Sequence, residues 1–195
     1  MDKLHSAIEN LKAVMAEEGI DTTKGMPEEL FHFATTLIPY SNVDLFITDD
    51  QGRLLLSWRD DKLFGKGWHI PGGCLRLHET MEYRVQQTAL KEIGAEVVFD
   101  KNRYLVSEGI GENNRLSFPD RNIRSHSISV LFYCKLPEGI EIDNKDKKET
   151  DPGFLKWFDE KPNDLLDEHK KLYGNLIDSY FMNRFFDGKD AVVED

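Results

Sequence analysis

The feature that most constrains this chain is a glycine pair, Gly72–Gly73, set between a strand pattern and a helix pattern. Glycine lacks a Cβ atom, so it lets the backbone approach a ligand closely. The pattern from about Met81 to Ile93 predicts a helix, and side chains at positions i and i+4 lie on one helix face. Thr88 and Glu92 have this spacing, so the sequence predicts one carboxylate on the face beside the glycine loop.

The residues around this loop resemble the Nudix box. That motif has a glycine, five residues, a glutamate, seven residues and then an Arg-Glu-aliphatic-x-Glu-Glu-x-Gly run. The positions that match are Gly73, Glu79, Glu92 and Gly94. The positions that differ are Gln87, Thr88 and Lys91, which stand where the motif has Arg, Glu and Glu. The segment Trp68–Gly73 is similar to the run that usually precedes the box.

The resemblance implies an α+β protein with the Nudix fold, an α/β/α sandwich around a mixed β-sheet. Residues 43–47 and 52–59 read as a β-hairpin that turns at 49–52, and 154–158 resembles the last strand of the family. A last helix is expected at about 163–186. We expect an N-terminal helical extension over 1–25, the Nudix domain over 26–186 and a loose C-terminal tail over 187–195.

In the Nudix family the box holds divalent metal against the diphosphate of a nucleotide derivative. Diphosphate oxygens are hard ligands, so the resemblance implies Mg²⁺ or Mn²⁺. Because the helix face keeps one carboxylate, we expect one metal, held by the Gly73 carbonyl, Glu92 and water. The box arginine of the family pairs with the first glutamate. Since that arginine is Gln87 here, we expect a neutral hydrogen bond to Glu79 in place of an ion pair.

One branch of the family, the GDP-mannose mannosyl hydrolases, has a similarly depleted box and attacks carbon, with inversion at C1 of the sugar. The resemblance covers about residues 26–181. It implies catalytic and substrate-binding roles for Asp44 and Arg59, and it implies that His126 is the general base. A histidine suits that role, since free imidazole titrates near neutral pH.

The chain departs from this branch at positions near the leaving group. The arginine expected directly after the glycine pair is Cys74, and Arg76 is the candidate to replace it in binding the substrate. The tyrosine expected before the base has no clear counterpart, and the loop offers Phe118 instead. Phe31, Phe33 and Tyr40 are candidates to stack on a nucleobase, or they pack a helix–strand junction.

Three functions stay open at this point. The first is Mg²⁺-dependent hydrolysis of a nucleoside-diphosphate sugar, GDP-mannose or GDP-glucose, that releases GDP and sugar. The second is attack on phosphorus, as in a Nudix pyrophosphatase, and the third is a catalytically weak ligand-binding module. Structural roles without catalytic function also remain for single residues: His126 as a strand histidine, Asp44 and Arg59 as an ion pair across the hairpin, and His169 as a surface residue.

Composition limits the partners. The net charge of −11 and the pI near 5.0 argue against nonspecific nucleic-acid binding, which needs a basic surface. Cys74 and Cys134 are not spaced as a metal or redox pair, and with no visible signal peptide or membrane span we expect a cytoplasmic enzyme. The apolar stripe that predicts an N-terminal helix consists of Leu4, Ile8, Leu11 and Met15. This stripe, with the dimeric habit of the resembled family, predicts a homodimer.

Overall fold

Four helices and seven strands follow one another along residues 3–111 and 122–187, the part of the chain that this computed structural model describes. The helices are α1 (Lys3–Glu17), α2 (Glu28–Leu37), α3 (Met81–Glu92) and α4 (Asp167–Asp187). The strands are β1 (Tyr40–Ile47), β2 (Leu54–Asp61), β3 (Gly65–His69), β4 (Gly72–Cys74), β5 (Val98–Ile110), β6 (His126–Lys135) and β7 (Leu155–Phe158). None of the described helices is long and apolar enough to cross a membrane.

The strands form two sheets. The larger has the order β4-β1-β6-β5, and the smaller has the order β3-β2-β7. In the larger sheet β1 runs parallel to β6 and antiparallel to β4. The predicted α+β fold with a mixed sheet is therefore confirmed.

Alternation along β1 supplies a core on each side of the larger sheet, because successive strand side chains point to opposite faces. Val43, Leu45 and Ile47 belong to a cluster that includes Val85 and Ala89 of α3. Phe46 faces the other way, in a cluster that includes two residues of α4, Tyr173 and Ile177. Burial of each large apolar side chain contributes roughly 1.5–3 kcal/mol. These contacts hold α3 and α4 on opposite faces of β1.

The predicted hairpin between residues 43–47 and 52–59 is only partly correct. The chain does turn at Asp49, whose carbonyl accepts a hydrogen bond from the Gly52 N–H at 3.0 Å. The two strands then share a single bridge, Thr48–Leu54, and enter different sheets. The reason is that β4 and β6 already occupy the two edges of β1, so β2 pairs with β3 and β7 instead.

The last helix begins at Asp167, four residues later than the predicted start at 163. The preceding segment pairs with β3. The Trp68 N–H donates to the Asp164 carbonyl at 2.9 Å, and the Leu166 N–H donates to the Trp68 carbonyl at 2.8 Å. Leu165 and Leu166 are also buried. The backbone groups that would open an earlier helix are therefore bonded to the small sheet.

The helix predicted at the N-terminus is present, and Gly19 follows it in the left-handed region at φ 63°. Its apolar stripe is not buried against the other residues that the structure describes. No described residue of α1 is buried, and 72% of Leu4 is exposed. The helix therefore contributes little to either core. The boundaries predicted for the extension (1–25), the domain (26–186) and the tail (187–195) stay predictions.

Candidate functional site

A cleft with a volume of about 550 Å³ lies against one end of the larger sheet. This volume is in the range of sites for nucleotide-sized ligands. The predicted site residues that line it are Asp44, Arg59, Gly73, Arg76 and Glu92. Glu79, Gly94 and His126 are not among its lining residues. The structure thus brings together five of the eight predicted site residues, from β1, β2, β4, α3 and the loop after β4.

Asp44 lies at the floor of the cleft with 3% of its surface exposed. Its Oδ2 accepts hydrogen bonds from the Tyr173 hydroxyl at 2.5 Å and from the Asn42 amide at 2.9 Å. Burial raises the pKa of Asp44 to about 6, although these hydrogen bonds lower it. Asp44 is therefore a carboxylate that α4 and β1 fix in place and that binds a proton more tightly than an exposed aspartate.

The glycine pair is required by two close approaches. A Cβ atom on Gly72 would lie 2.1 Å from Oδ1 of Asp44, and one on Gly73 would lie 2.5 Å from Oγ1 of Thr88. Both distances are too short for any side chain. The glycines therefore bring β4 against the carboxylate of β1 on one side and against the box helix α3 on the other.

Arg59 does not form the alternative ion pair with Asp44. Its Nε lies 3.3 Å from Oδ2 of Asp61, and its guanidinium carbon lies 5.1 Å from the centre of the Phe64 ring. Strand β2 belongs to the smaller sheet, so Arg59 approaches the cleft from a different wall. Its charge still acts there, since it helps to lower the pKa of Asp44 against the larger effect of burial.

The expected hydrogen bond between Gln87 and Glu79 is replaced by an ion pair with Arg84, so that prediction is wrong. The Arg84 Nε donates to Glu79 Oε2 at 2.8 Å, and its second nitrogen pairs with Oε1. The backbone N–H of Arg76 donates to the same carboxylate at 3.0 Å. Burial raises the pKa of Glu79, but these donors together hold it below its ordinary value. Arg84 lies three residues before Gln87, on the same helix face.

The described residues contain no group of three His, Cys, Asp or Glu side chains that could hold a metal ion. The box residues that line the cleft and could donate to a metal are Glu92, through its carboxylate, and Gly73 of β4, through its carbonyl. Beside them the hydroxyl of Thr88 is buried and has no hydrogen-bond partner. Lys91 Nζ lies 3.1 Å from Glu92 Oε1, but the lysine side chain is 77% exposed and free to move away. One carboxylate, a carbonyl and an orphaned hydroxyl fit one hard divalent cation with water, not several.

His126 is the first residue of β6 and is partly exposed. Its Nε2 donates to Oε1 of Glu108 at 2.9 Å, and Glu108, on the neighbouring strand β5, lines the cleft. The two residues are held together by the antiparallel pairing of β5 and β6. The role of His126 as general base stays a prediction. His126 does not itself line the cleft, but its hydrogen-bond partner Glu108 does.

His169 lines the cleft, so the alternative of a surface role is wrong. Its Nδ1 accepts the Ile70 N–H at 3.2 Å, while the Nδ1–H of His69 donates to the Ile70 carbonyl at 2.9 Å. Burial and then the charge of Arg59 lower the pKa of His169 to about 3. The same causes lower the pKa of His69 well below its usual range. Both imidazoles are therefore neutral at physiological pH and fix the loop before the glycine pair.

The structure adds residues that the motif did not indicate. Arg124, in the turn before β6, lines the cleft, and no sequence pattern marked it. Arg76 lines the cleft too, and its guanidinium lies 3.5 Å from the position of a Cβ on Gly25. Of the three aromatic candidates, Phe31 and Tyr40 line the cleft and Phe33 does not. Phe118 lies outside the described residues.

Comparison with known proteins decides the family. The NUDIX domain family matches residues 39–180 of the sequence. The chain belongs to the Nudix hydrolase family. Members of this family act on nucleotide derivatives and generally use divalent metals such as Mg²⁺. A search of curated proteins finds no significant match.

Solved structures with a similar fold include three named proteins. The first is a UDP-X diphosphatase, at 16% identity over 95% of this chain and 82% of that chain, with a TM-score of 0.46. The second is a NUDIX hydrolase from Nitrosomonas europaea, at 20% over 76% and 73%, with a TM-score of 0.48. The third is an ADP-ribose pyrophosphatase from Streptococcus suis, at 19% over 75% and 92%, with a TM-score of 0.47. At these identities none of the three indicates the substrate of this chain.

Proposed function

We propose that this Nudix protein hydrolyses a nucleoside-diphosphate sugar, GDP-mannose or GDP-glucose first, by attack of water at C1 of the sugar. The observation that carries the proposal is the box face of α3, where Glu92 is the one carboxylate of the helix that lines the cleft and Lys91 lies beside it. Attack on phosphorus assisted by several metals needs several carboxylates to hold them. Displacement at C1 needs one base for the water and one cation for the departing diphosphate.

The proposed reaction breaks the bond between C1 and the diphosphate oxygen. The water oxygen forms a bond to C1 with inversion, one water proton passes to the base, and the bonding electrons leave with GDP. Glu92 and the Gly73 carbonyl would hold Mg²⁺ or Mn²⁺, which when bound supplies positive charge for the leaving diphosphate. Arg59 and Arg76 add cationic donors to the cleft, and a guanidinium suits phosphate oxygens.

His126 is the proposed base. Because its Nε2 donates to Glu108, the neutral imidazole leaves Nδ1 as the atom that accepts a proton. Asp44 is proposed to bind the substrate from the floor of the cleft, since its Oδ2 is already occupied by two donors while Oδ1 faces the glycine pair. Loss of a positioned base slows such reactions by about 10²–10⁴-fold. We therefore expect a loss of this size in His126→Ala.

The reaction in ¹⁸O-water tests the proposal directly. GDP-mannose and GDP-glucose are incubated with the protein and Mg²⁺, and the products are weighed by mass spectrometry. Label in the free sugar and none in GDP is the expected result. Label in a phosphate product would assign the chain to the pyrophosphatases instead. Binding without any turnover, in protein that is folded and loaded with metal, would assign it to the ligand-binding modules.

We also propose that the protein is a homodimer. The support is α1, whose apolar residues Leu4, Ile8 and Leu11 are exposed in the single chain. An amphipathic helix with an uncovered apolar face is typical of a contact with another surface. The cytoplasmic location stays a prediction from the sequence.

A further inference from the structure

We propose that Arg124 is a phosphate-binding residue of the cleft, and that it contacts the diphosphate of the ligand. The inference rests on the proposed function for its ligand class, a nucleoside diphosphate. Four observations carry it: the place of Arg124 in the fold, the support of its backbone and ring contact, its unpaired buried donor, and the charge of the surrounding cleft.

The sheet brings Arg124 to the same end as the glycine loop. Strands β1 and β6 are parallel and begin together, with Tyr40 opposite Ser127. Strand β4 is antiparallel to β1, so its last residue, Cys74, lies opposite Asn42 near the start of β1. Arg124 precedes β6 by two residues. Tyr40, Cys74 and Arg124 therefore meet at one end of the sheet, where all three line the cleft.

The guanidinium is held in position by helix α2. The Arg124 N–H donates to Thr35 Oγ1 at 3.2 Å, and that hydroxyl donates to the His32 carbonyl at 2.9 Å. The guanidinium carbon lies 4.7 Å from the centre of the Phe31 ring, which is a cation–π contact. The backbone of Arg124 has φ 52°, in the left-handed region that a residue other than glycine seldom adopts. This support limits the side chain to a narrow range of positions.

Arg124 also has a hydrogen-bond donor without an acceptor. Its Nε is buried and makes no hydrogen bond. Four of the other six arginines in the described residues pair with a carboxylate: Arg53 with Asp49, Arg59 with Asp61, Arg84 with Glu79 and Arg184 with Asp159. Within residues 3–111 and 122–187, no carboxylate forms an ion pair with Arg124. A buried donor without an acceptor lowers stability, and a ligand oxygen would satisfy it.

The charge of the cleft indicates an anionic ligand. The residues that line the cleft include four arginines and two lysines against four carboxylates, an excess of two positive charges in a chain whose net charge is −11. The planar guanidinium matches phosphate oxygens with parallel N–H donors. The charge of Arg124 also affects the pKa values of two neighbouring cleft residues. Burial raises the pKa of Tyr40 and of Cys74, and Arg124 acts against that rise in both.

The test measures binding of inorganic pyrophosphate by calorimetry, with Mg²⁺ present, in wild type, Arg124→Gln and Arg124→Met. The methionine variant keeps an unbranched chain over Phe31, and the thermal unfolding midpoint of each variant shows that it is folded. The matched control is Arg103→Gln, since Arg103 also lies over an aromatic ring, that of Tyr133 at 4.9 Å, but does not line the cleft.

We expect both Arg124 variants to bind pyrophosphate about 10- to 100-fold more weakly, the effect of losing a charged hydrogen bond, and the Arg103 variant to bind as wild type does. Equal affinity in wild type and both Arg124 variants would overturn the inference, and so would a wild type that does not bind pyrophosphate. The proposed function fails separately. If pyrophosphate binding depends on Arg124 but no sugar nucleotide is hydrolysed, the phosphate site stands and the proposed reaction does not.

Discussion

Burial of the Asp44 carboxylate makes the stability of the folded protein depend on pH. Burial raises its pKa from an ordinary value of 3.8 to about 6, so the folded chain binds this proton more tightly than the unfolded chain does. Its contribution to stability is therefore fully present below about pH 4 and is lost as the pH rises through about 6. At neutral pH the folded state holds a carboxylate whose burial opposes folding.

Asp44→Asn should therefore stabilise the protein at pH 8, by up to about 3 kcal/mol for a shift of two pKa units, with a difference that shrinks toward pH 4. The amide oxygen can still accept the hydrogen bonds from Tyr173 and Asn42. Denaturant unfolding at both pH values measures this. The control is Asp146→Asn, at an exposed position, where a substitution should change the free energy of unfolding by less than about 0.5 kcal/mol. Equal destabilisation by Asp44→Asn at both pH values would contradict the argument.

The Glu79–Arg84 ion pair is nearly buried, with 10% and 7% of the two side chains exposed. Removal of one partner leaves the other charge unpaired in a poorly solvated place, which typically costs about 3–5 kcal/mol. We expect Arg84→Met to lower the free energy of unfolding by an amount of this order. The control is Gln87→Met, at the position that the motif gives to the arginine, and it should change stability little.

A double-mutant cycle separates this pair from general damage to α3. If the two charges stabilise each other, the double variant Arg84→Met with Glu79→Gln should lose less free energy of unfolding than the sum of the losses in the two single variants. Additive effects would show that the pair contributes nothing of its own.

At the scale of elements, the sequence predicted the features that depend on neighbouring residues, such as the bounds of helix α3. Helix α3 was predicted over 81–93 and spans Met81–Glu92, because its pattern is helical and Thr80 caps it by accepting the Tyr83 N–H at 3.2 Å. The partner of Glu79 was predicted wrongly, as a neutral hydrogen bond to Gln87, because the motif was read by position. Positions 84 and 87 lie on one helix face, so a search of that face for an arginine would have found Arg84.

Pairing between distant strands was not predictable in this way. The turn at Asp49–Gly52 is local, and the sequence indicated it. The separation of β1 and β2 into two sheets depends on β6, which lies about 80 residues further along the chain. For the same reason Arg124 carried no signal. Its meaning comes from the parallel pairing of β6 with β1, which brings it beside Cys74. A motif or a resemblance marked five residues that do line the cleft, and their roles there stay predictions: Asp44, Arg59, Gly73, Arg76 and Glu92.

The charge pair at the end of α3 sets the expected metal affinity. Glu92→Gln should abolish Mn²⁺ binding, because the helix face then offers no carboxylate to the cleft. Lys91→Gln should strengthen binding by at most about fivefold, since its exposed pair with Glu92 is worth no more than about 1 kcal/mol. Glu82→Gln, in the first turn of the same helix, is the control. Titration followed by electron paramagnetic resonance gives the affinity and the number of ions, which we expect to be one per chain.

At the scale of the whole molecule, α1 decides the oligomeric state that we expect. Light scattering should give a mass near twice the 22.6 kDa of one chain. Leu11→Glu should weaken the dimer if the apolar face of α1 is in the interface, because a charge would then be buried there. Lys12→Glu on the neighbouring polar surface, where Lys12 pairs with Glu9, is the control. A wild-type mass of one chain at micromolar concentration would rule out the dimer.

The central position of β1 determines how slowly its amide hydrogens exchange with solvent. It is bonded to β4 at Asn42–Asp44 and to β6 along its full length, and its side chains fill both cores. No part of this strand can detach without breaking the larger sheet. Its amide hydrogens should therefore exchange with solvent only when the whole domain unfolds, and the floor of the cleft keeps its geometry for as long as the domain stays folded.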